Sequence, residues 1–450
     1  MAPIFAKKET IPEHLLHVYQ TLAFKILEVL INERQAASGV NEDQDFLRPY
    51  QILDVACGTG ALWPFLLEKA TAMNMTLLIQ GLDLSPRMVE CAKEHAASLL
   101  TPDSSHRIEV VCSDIMEYHG APVESEEQNE TTTYTSYDAV ICNACWANFY
   151  SPQAILQHVT TNLLQSHKSA KGQTFGRLFV THPLGQDFIK ELHDADPQTV
   201  PHLLPEKWYF SDFIRVPLQL EEFVPEQVDV RPFMPEEQNT DEFSTIKPFY
   251  FAALRRVRHY LLPHVWRFRG PVARGYGRGG KKLGFPTANL VASIFFQNAL
   301  QELEAGVYIG WASVEDSSNE KVVVHRAVVN VGYSPTFEGQ ENPEKIIEAH
   351  LMPEEGISLS DFYGETMRLE LLAYLRAEEK FASFPDLITQ INADVADAKD
   401  ALEAHPVLRQ ARADSFFLKP DWTAKNQDSE EESGSSWERK DMKEFLEKYE

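Results

Sequence analysis

Short apolar runs alternate with stretches of helical spacing through the first 257 residues. Strands are predicted at 51–56, 77–83, 108–112, 139–143 and 178–181, with helices between them. That alternation predicts βαβ units and a parallel sheet. Residues 228–230 and 248–254, after a longer irregular region, are two more strand candidates. The polar, acidic stretch 120–136 has no period and predicts a surface loop. From His264 the texture changes to short β-type runs punctuated by Gly, Pro and Asn, among them 307–314, 321–331 and 367–375. This predicts an antiparallel barrel or sandwich. Apolar residues at helical spacing over 384–402 (Leu387, Ile391, Val395, Ala398, Leu402) predict a helix packed on it. A chain of 450 residues exceeds what one core organises. The expected organisation is therefore an α/β domain at 15–257, an all-β domain with a C-terminal helix at 262–420, and an acidic mobile tail at 421–450 that ends in a short charged helix.

Composition narrows the function classes. No apolar run is long enough to cross a bilayer, and the amino terminus lacks a secretory h-region. A cytoplasmic location is the default expectation, with an organelle address left open. All five cysteines fall in the first third of the chain, in or beside apolar runs, which argues against a disulfide framework. Cys142 and Cys145 form a C-x-x-C, but no second Cys or His pair stands at zinc spacing. A net charge of −26 argues against general nucleic-acid binding. The distribution of charge matters more: residues 243–301 hold ten Lys and Arg, including Arg267, Arg269, Arg274, Arg278, Lys281 and Lys282, and no Asp or Glu. Such a stretch expects an anionic ligand.

Two constellations carry chemistry. In the first, Asp54 ends a buried run and is followed by Gly58 and Gly60 in a turn before a helix. Glycine lets backbone approach a ligand closely, and a helix N-terminus favours polar or negative groups. Asp83 ends the next run, where a carboxylate can accept from ribose hydroxyls, and Asp114 follows the third. The D-x-x-x-G-x-G pattern with two further strand-end acids, together with the run GLDLSPRMVECAKE, resembles class I S-adenosylmethionine-dependent methyltransferases. The resemblance implies that Gly58 and Gly60 pass under the methionine moiety, Asp83 holds the ribose, and Asp114 with Ile115 borders the adenine. Asn143-Ala144-Cys145-Trp146 stands where family members that methylate amide or base nitrogens carry Asn-Pro-Pro-aromatic. The methyl acceptor is therefore not legible, and a domain kept for binding or scaffolding would look the same.

The second constellation is RGYGRGGKKLGFPTANL at 274–290. Gly275, Gly277 and Gly280 fit G-x-G-x-x-G, and Gly275, Gly280 and Lys281 nearly fit Walker A spacing. Both motifs must open a helix, whereas Gly284 and Pro286 follow at once, and position 282 is Lys rather than Ser or Thr. No protein-kinase H-R-D or D-F-G follows. A glycine-rich loop leading into β structure remains, and its backbone N–H groups with Arg278, Lys281 and Lys282 suit phosphates. Thr287 and Asn289, two apart on an extended segment, supply hard oxygen ligands of the kind Mg²⁺ accepts.

This loop with G-x-P-T-A-N, followed by GVYIGWASV, VVNVGYSPTF, IIEAHLM, DFYGE and AYLRAEEKFASFPDLITQI, closely resembles the riboflavin kinase family. The resemblance implies a six-stranded Greek-key barrel with a terminal helix, and transfer of the ATP terminal phosphate to riboflavin. It implies Mg²⁺ on Thr287 and Asn289, the loop from Gly275 to Lys281 closing over ATP, and Glu348 as catalytic base. Tyr374 would lie near the adenine, and Arg376 and Phe381 beside the isoalloxazine. PEEGISLS at 353–360 is a departure in a stretch the family often varies. The first domain lacks the H-x-G-H signature of an FAD-forming adenylyltransferase. Two other readings compete: a methyltransferase regulated by a flavin-binding domain, against which intact Thr287, Asn289 and Glu348 speak, and an RNA-binding basic stretch, against which the net charge speaks. Small-molecule substrates and an unknown methyl acceptor are the expected partners. The oligomeric state is not legible.

Overall fold

The computed structural model describes residues 11 and 13–448 apart from 38–47, 124–132, 170–171, 225–248, 274–286, 291–293, 316–321, 334–344, 355–361 and 419–434. The chain divides into two compact units, one of residues 1–208 and 218–257, the other of 209–217 and 258–450. No helix among the described residues is long and apolar enough to cross a membrane.

The first unit is an α/β sheet of β1 (Tyr50–Val55), β2 (Leu77–Asp83), β3 (Arg107–Cys112), β4 (Ala139–Asn143), β5 (Arg177–His182), β6 (Leu218–Val224) and β7 (Tyr250–Arg256). Their spatial order is β6-β7-β5-β4-β1-β2-β3. The strands β1 to β5 run parallel, and β7 enters antiparallel to β5 with β6 antiparallel beside it. β5 is buried along its whole length, as expected of a strand covered on both faces. The order reverses between β1 and β4, and the crevice outside the carboxyl ends of strands at such a reversal is where open α/β sheets bind ligands. Helix α1 (Glu13–Ala37) buries Leu15, Leu22, Ile26 and Leu30 in the core. The candidate 228–230 lies outside the described residues, and the strand that pairs with β7 is β6. Its alternation is interrupted by a register shift between Leu220 and Glu222, which leaves two consecutive glutamates and hides the period of two.

The second unit is an all-antiparallel barrel of β8 (Tyr260–Ala273), β9 (Thr287–Leu290), β10 (Gly306–Glu315), β11 (Val324–Tyr333), β12 (Lys345–Met352) and β13 (Thr366–Ala377). The order β9-β12-β11-β10-β13-β8 closes on itself because β8 also pairs with β9, so these six strands leave no free edge among themselves. The pairing of β8 with β13 is interrupted between Leu261 and Trp266, where Pro263 brings no N–H to the ladder. Helix α2 (Phe384–Ala404) starts at Ser383, whose side chain accepts from the Asp386 amide, with proline in its first turn. Val395, Ala398 and Leu402 form its buried face.

Two expectations are corrected here. The tail does not stay mobile over its described part. β14 (Ser436–Asp441) pairs with β8 from His264↔Asp441 to Arg269↔Ser436, and α3 (Met442–Leu446) buries Met442, Phe445 and Leu446 in the barrel core. Acidic composition misled because Glu438 is buried against Arg267. Arg267 and Arg269 are likewise not held out for an anion. Arg267 is 1% exposed and pairs with Glu370 at 2.7 Å, Asp414 at 2.9 Å and Glu438 at 3.5 Å, while Arg269 makes a two-pronged pair with Glu315. Each acid is distant in sequence, so the local absence of carboxylates gave no sign of the neutralisation.

Candidate active sites

In the first unit the site is built on the turn that leaves β1. Asp54 is buried at the end of this strand and accepts a hydrogen bond from Trp63 Nε1 at 2.8 Å. Burial pushes its carboxyl up to about 7, opposed by the Trp63 hydrogen bond and reinforced by the charge of Asp83. Gly58 and Gly60 both have positive φ, +56° and +76°. They differ in what surrounds them. A Cβ on Gly58 would meet nothing within 4 Å, whereas one on Gly60 would lie 2.2 Å from Trp63 Cε3. Gly60 therefore makes room for the indole that holds Asp54, and Gly58 is the glycine with open space above it.

Asp83 connects this turn to β2. Its Oδ2 accepts from the Gly58 amide at 2.9 Å and its Oδ1 from the Ser85 amide at 2.8 Å. Asp114 accepts from the Met116 amide at 2.8 Å, and Ile115 is buried beside it. Two residues missed in the sequence adjoin these acids: Leu84, 68% exposed, directly follows Asp83, and Met116, 43% exposed, follows Ile115. Large apolar side chains left open beside two strand-end acids suit the flat face of a base. On the other side of the reversal, Asn143 accepts from Thr181 Oγ1 at 2.9 Å, and Cys145 Sγ donates to the Val55 carbonyl at 3.3 Å. Cys142 and Cys145 are both buried free thiols.

In the second unit the candidate residues fall on a row across the barrel. Asn289 on β9 stands opposite Glu348 on β12, and Glu348 stands opposite Asn330 on β11. Their chain neighbours Ala288, Leu290, Ile347, Ala349, Val329 and Val331 are all buried, so the row faces away from the barrel core. Asn289 Oδ1 is buried and has no hydrogen-bond partner among the described residues. Such an orphaned carbonyl oxygen costs on the order of 1–3 kcal/mol unless a ligand satisfies it, which fits a hard cation. Thr287 holds the strand position opposite His350; its side chain lies outside the described residues, as do Gly275, Gly277, Arg278, Gly280 and Lys281.

His350 was missed because a lone histidine in an apolar strand carries no signal. It sits two residues from Glu348, and burial pulls its imidazole below the ordinary value, against the opposing charges of Glu348 and Asp394. Arg376 makes a two-pronged ion pair with Asp394 of α2 at 2.8 and 2.6 Å, and its guanidinium lies 5.9 Å from the centre of the Phe381 ring. Arg376 and Phe381 are thus brought together. Tyr374 is not in the row: it pairs with Tyr308 in register, and its ring stacks on Tyr260 at 5.1 Å and meets Tyr308 edge-on at 5.2 Å.

Comparison with known proteins bears on the two units rather than on single residues. The family model described as riboflavin kinase matches residues 262–402, and one described as a methyltransferase domain matches 48–196. The human riboflavin kinase is 38% identical over 161 residues, covering 36% of this chain and 93% of that protein. The bifunctional riboflavin kinase/FMN phosphatase of Arabidopsis thaliana is 38% identical over 154 residues, 34% of this chain and 37% of that one. The crystal structure of a Trypanosoma brucei riboflavin kinase aligns with 39% of this chain and 94% of its own at 23% identity and a TM-score of 0.29. By this relationship, which runs through its barrel unit and stands beside a segment matched by the methyltransferase-domain model, the chain belongs to the riboflavin kinase family.

Proposed function

We propose that the barrel transfers the terminal phosphate of ATP to the ribityl 5′-hydroxyl of riboflavin, giving FMN, and that the α/β unit binds S-adenosylmethionine and passes its methyl group to an acceptor. The observation that carries the first part is the pairing of Asn289, with its orphaned buried oxygen, directly opposite the half-buried carboxylate of Glu348. The ribityl hydroxyl is a weak nucleophile. Glu348 takes its proton as the new O–P bond forms and the bond to the ADP oxygen breaks, help worth roughly a hundred- to ten-thousand-fold. Asn289 and Thr287 would hold Mg²⁺, which supplies positive charge against the ATP phosphates. Backbone amides of the glycine-rich loop, with Arg278 and Lys281, surround those phosphates, while Arg376 and Phe381 border the flavin ring. The place beside the adenine that the family resemblance gives Tyr374 has no such support, since this residue is 9% exposed and packed in the barrel core.

Support for the second part comes from the Asp83 carboxylate tied to the Gly58 amide, and from the open space above Gly58. Asp83 holds the ribose, Asp114 with Ile115 borders the adenine, and Gly58 and Gly60 give the turn its shape, with buried Asp54 behind it. Incubation of the full chain with riboflavin, ATP and Mg²⁺ tests the first part. FMN that disappears when the metal is chelated supports it, and no FMN with metal present refutes it. Calorimetric titration with S-adenosylmethionine tests binding in the second part, and no heat of binding refutes it.

A further inference from the structure

The row on the outer face of the barrel extends beyond Glu348. Asn330 stands opposite Val307 on β10, and Val307 opposite Arg376 on β13, so Glu348, Asn330, Val307 and Arg376 follow one another across four neighbouring strands. Directly opposed residues share a face of a sheet. Adjacent strands are about 4.8 Å apart, which separates Glu348 from Arg376 by roughly 14 Å. A molecule with its reacting hydroxyl at Glu348 and its flat ring at Arg376 and Phe381 must therefore pass its linking chain across these two strands, where Val307 is buried at 5% exposure and Asn330 is half-buried. In riboflavin that chain is a polyol, and of these two residues only Asn330 has a hydrogen-bonding side chain.

The amide of Asn330 is held in place. Its Nδ2 donates to Glu378 Oε1 at 3.3 Å. The Glu378 carboxylate occupies the space that a side chain on Gly332 would fill, since a Cβ there would lie 1.7 Å from Oε1. Glu378 is two residues beyond Arg376, so this bond also ties Asn330 to the segment that carries Arg376 and Phe381. One N–H is used on Glu378, and an amide offers in addition a second N–H and a carbonyl oxygen, a donor and acceptor pair suited to a hydroxyl that both gives and takes a proton. We infer that Asn330 binds an internal hydroxyl of the ribityl chain and selects the polyol of the substrate. This inference rests on the kinase reading above.

The test compares kcat/KM of the full chain for riboflavin and for three analogues, each lacking one internal ribityl hydroxyl. The wild type should disfavour one analogue by roughly tenfold, the effect of a single unmade hydrogen bond. Asn330→Ala should lose roughly that factor with riboflavin, lose nothing with that analogue, and leave the KM for ATP unchanged. Asn330→Ser, which restores a shorter hydrogen-bonding group, should recover part of the discrimination. Equal losses of Asn330→Ala with all four flavins, or full activity with riboflavin, would overturn the inference while leaving the kinase reading intact. Failure of the wild type to make FMN would instead remove the kinase reading and this inference with it.

Discussion

Ending the chain at Leu418 removes a strand and a helix from the barrel unit, and the cost follows from what they bury. Met442, Phe445 and Leu446 are 0, 1 and 0% exposed. Full burial of each such side chain contributes about 1.5–3 kcal/mol, so their loss costs roughly 5–9 kcal/mol. The same cut removes the six residue pairs of β14 with β8, the Trp437 ring stacked on Trp266 at 5.9 Å, and Glu438 from the buried Arg267 cluster. Domains are usually stable by about 5–15 kcal/mol, and 1 kcal/mol moves the melting temperature of a unit this size by about 2–4 °C. The shortened chain should therefore show a barrel transition more than about 10 °C lower, or none. Differential scanning calorimetry of the two chains measures this, and Phe445→Ala in the full chain, expected to cost about 3–5 kcal/mol, separates packing from the loss of the intervening residues. An unchanged barrel transition in both would refute the assignment of 436–446 to the barrel core.

Two further outcomes concern the α/β unit. Asp83→Ala unties the Gly58 and Ser85 amides and should weaken S-adenosylmethionine binding by about ten- to a hundredfold in calorimetry while FMN formation is unchanged; equal affinity would refute the ribose assignment. Asp54 is an acid whose folded pKa, about 7, lies above its ordinary 3.8. The fold thus prefers its protonated form, and that stabilisation is fully present below about pH 4 and lost as pH rises through 7. Asp54→Asn keeps an acceptor for Trp63 and never ionises. Its stability relative to the wild type should therefore rise between pH 4 and pH 8, by on the order of 4 kcal/mol at most. Urea midpoints that move in parallel across that range would contradict it.

The legible parts of this chain are those whose signal is local. The run from Asp54 to Gly60 and the Thr287-Ala-Asn289 segment each place their chemistry within a few residues, and the parallel sheet and the barrel were readable from the spacing of apolar residues. The illegible parts depend on partners far along the chain. Arg267 lies in a run without acids, yet it is neutralised by Glu370, Asp414 and Glu438. SWERKD at 436–441 has no strand-like alternation to speak of, and becomes a strand because β8 offers it an edge. Segment 209–217 precedes the last two strands of the α/β sheet but belongs to the barrel unit, where the Arg215 amide donates to the Leu261 carbonyl. Asn330 is an unremarked polar residue in sequence, and only the strand register sets it between Glu348 and Arg376.

The central claim is that Glu348 is the base of a riboflavin kinase, and Glu348→Gln addresses it with little change of shape. FMN formed from riboflavin, ATP and Mg²⁺ by the wild type and the variant should be separated by chromatography, with ATP binding measured alongside. The account predicts FMN from the wild type, at least about a hundredfold less from the variant, and ATP affinity retained. Equal turnover by both proteins would contradict it.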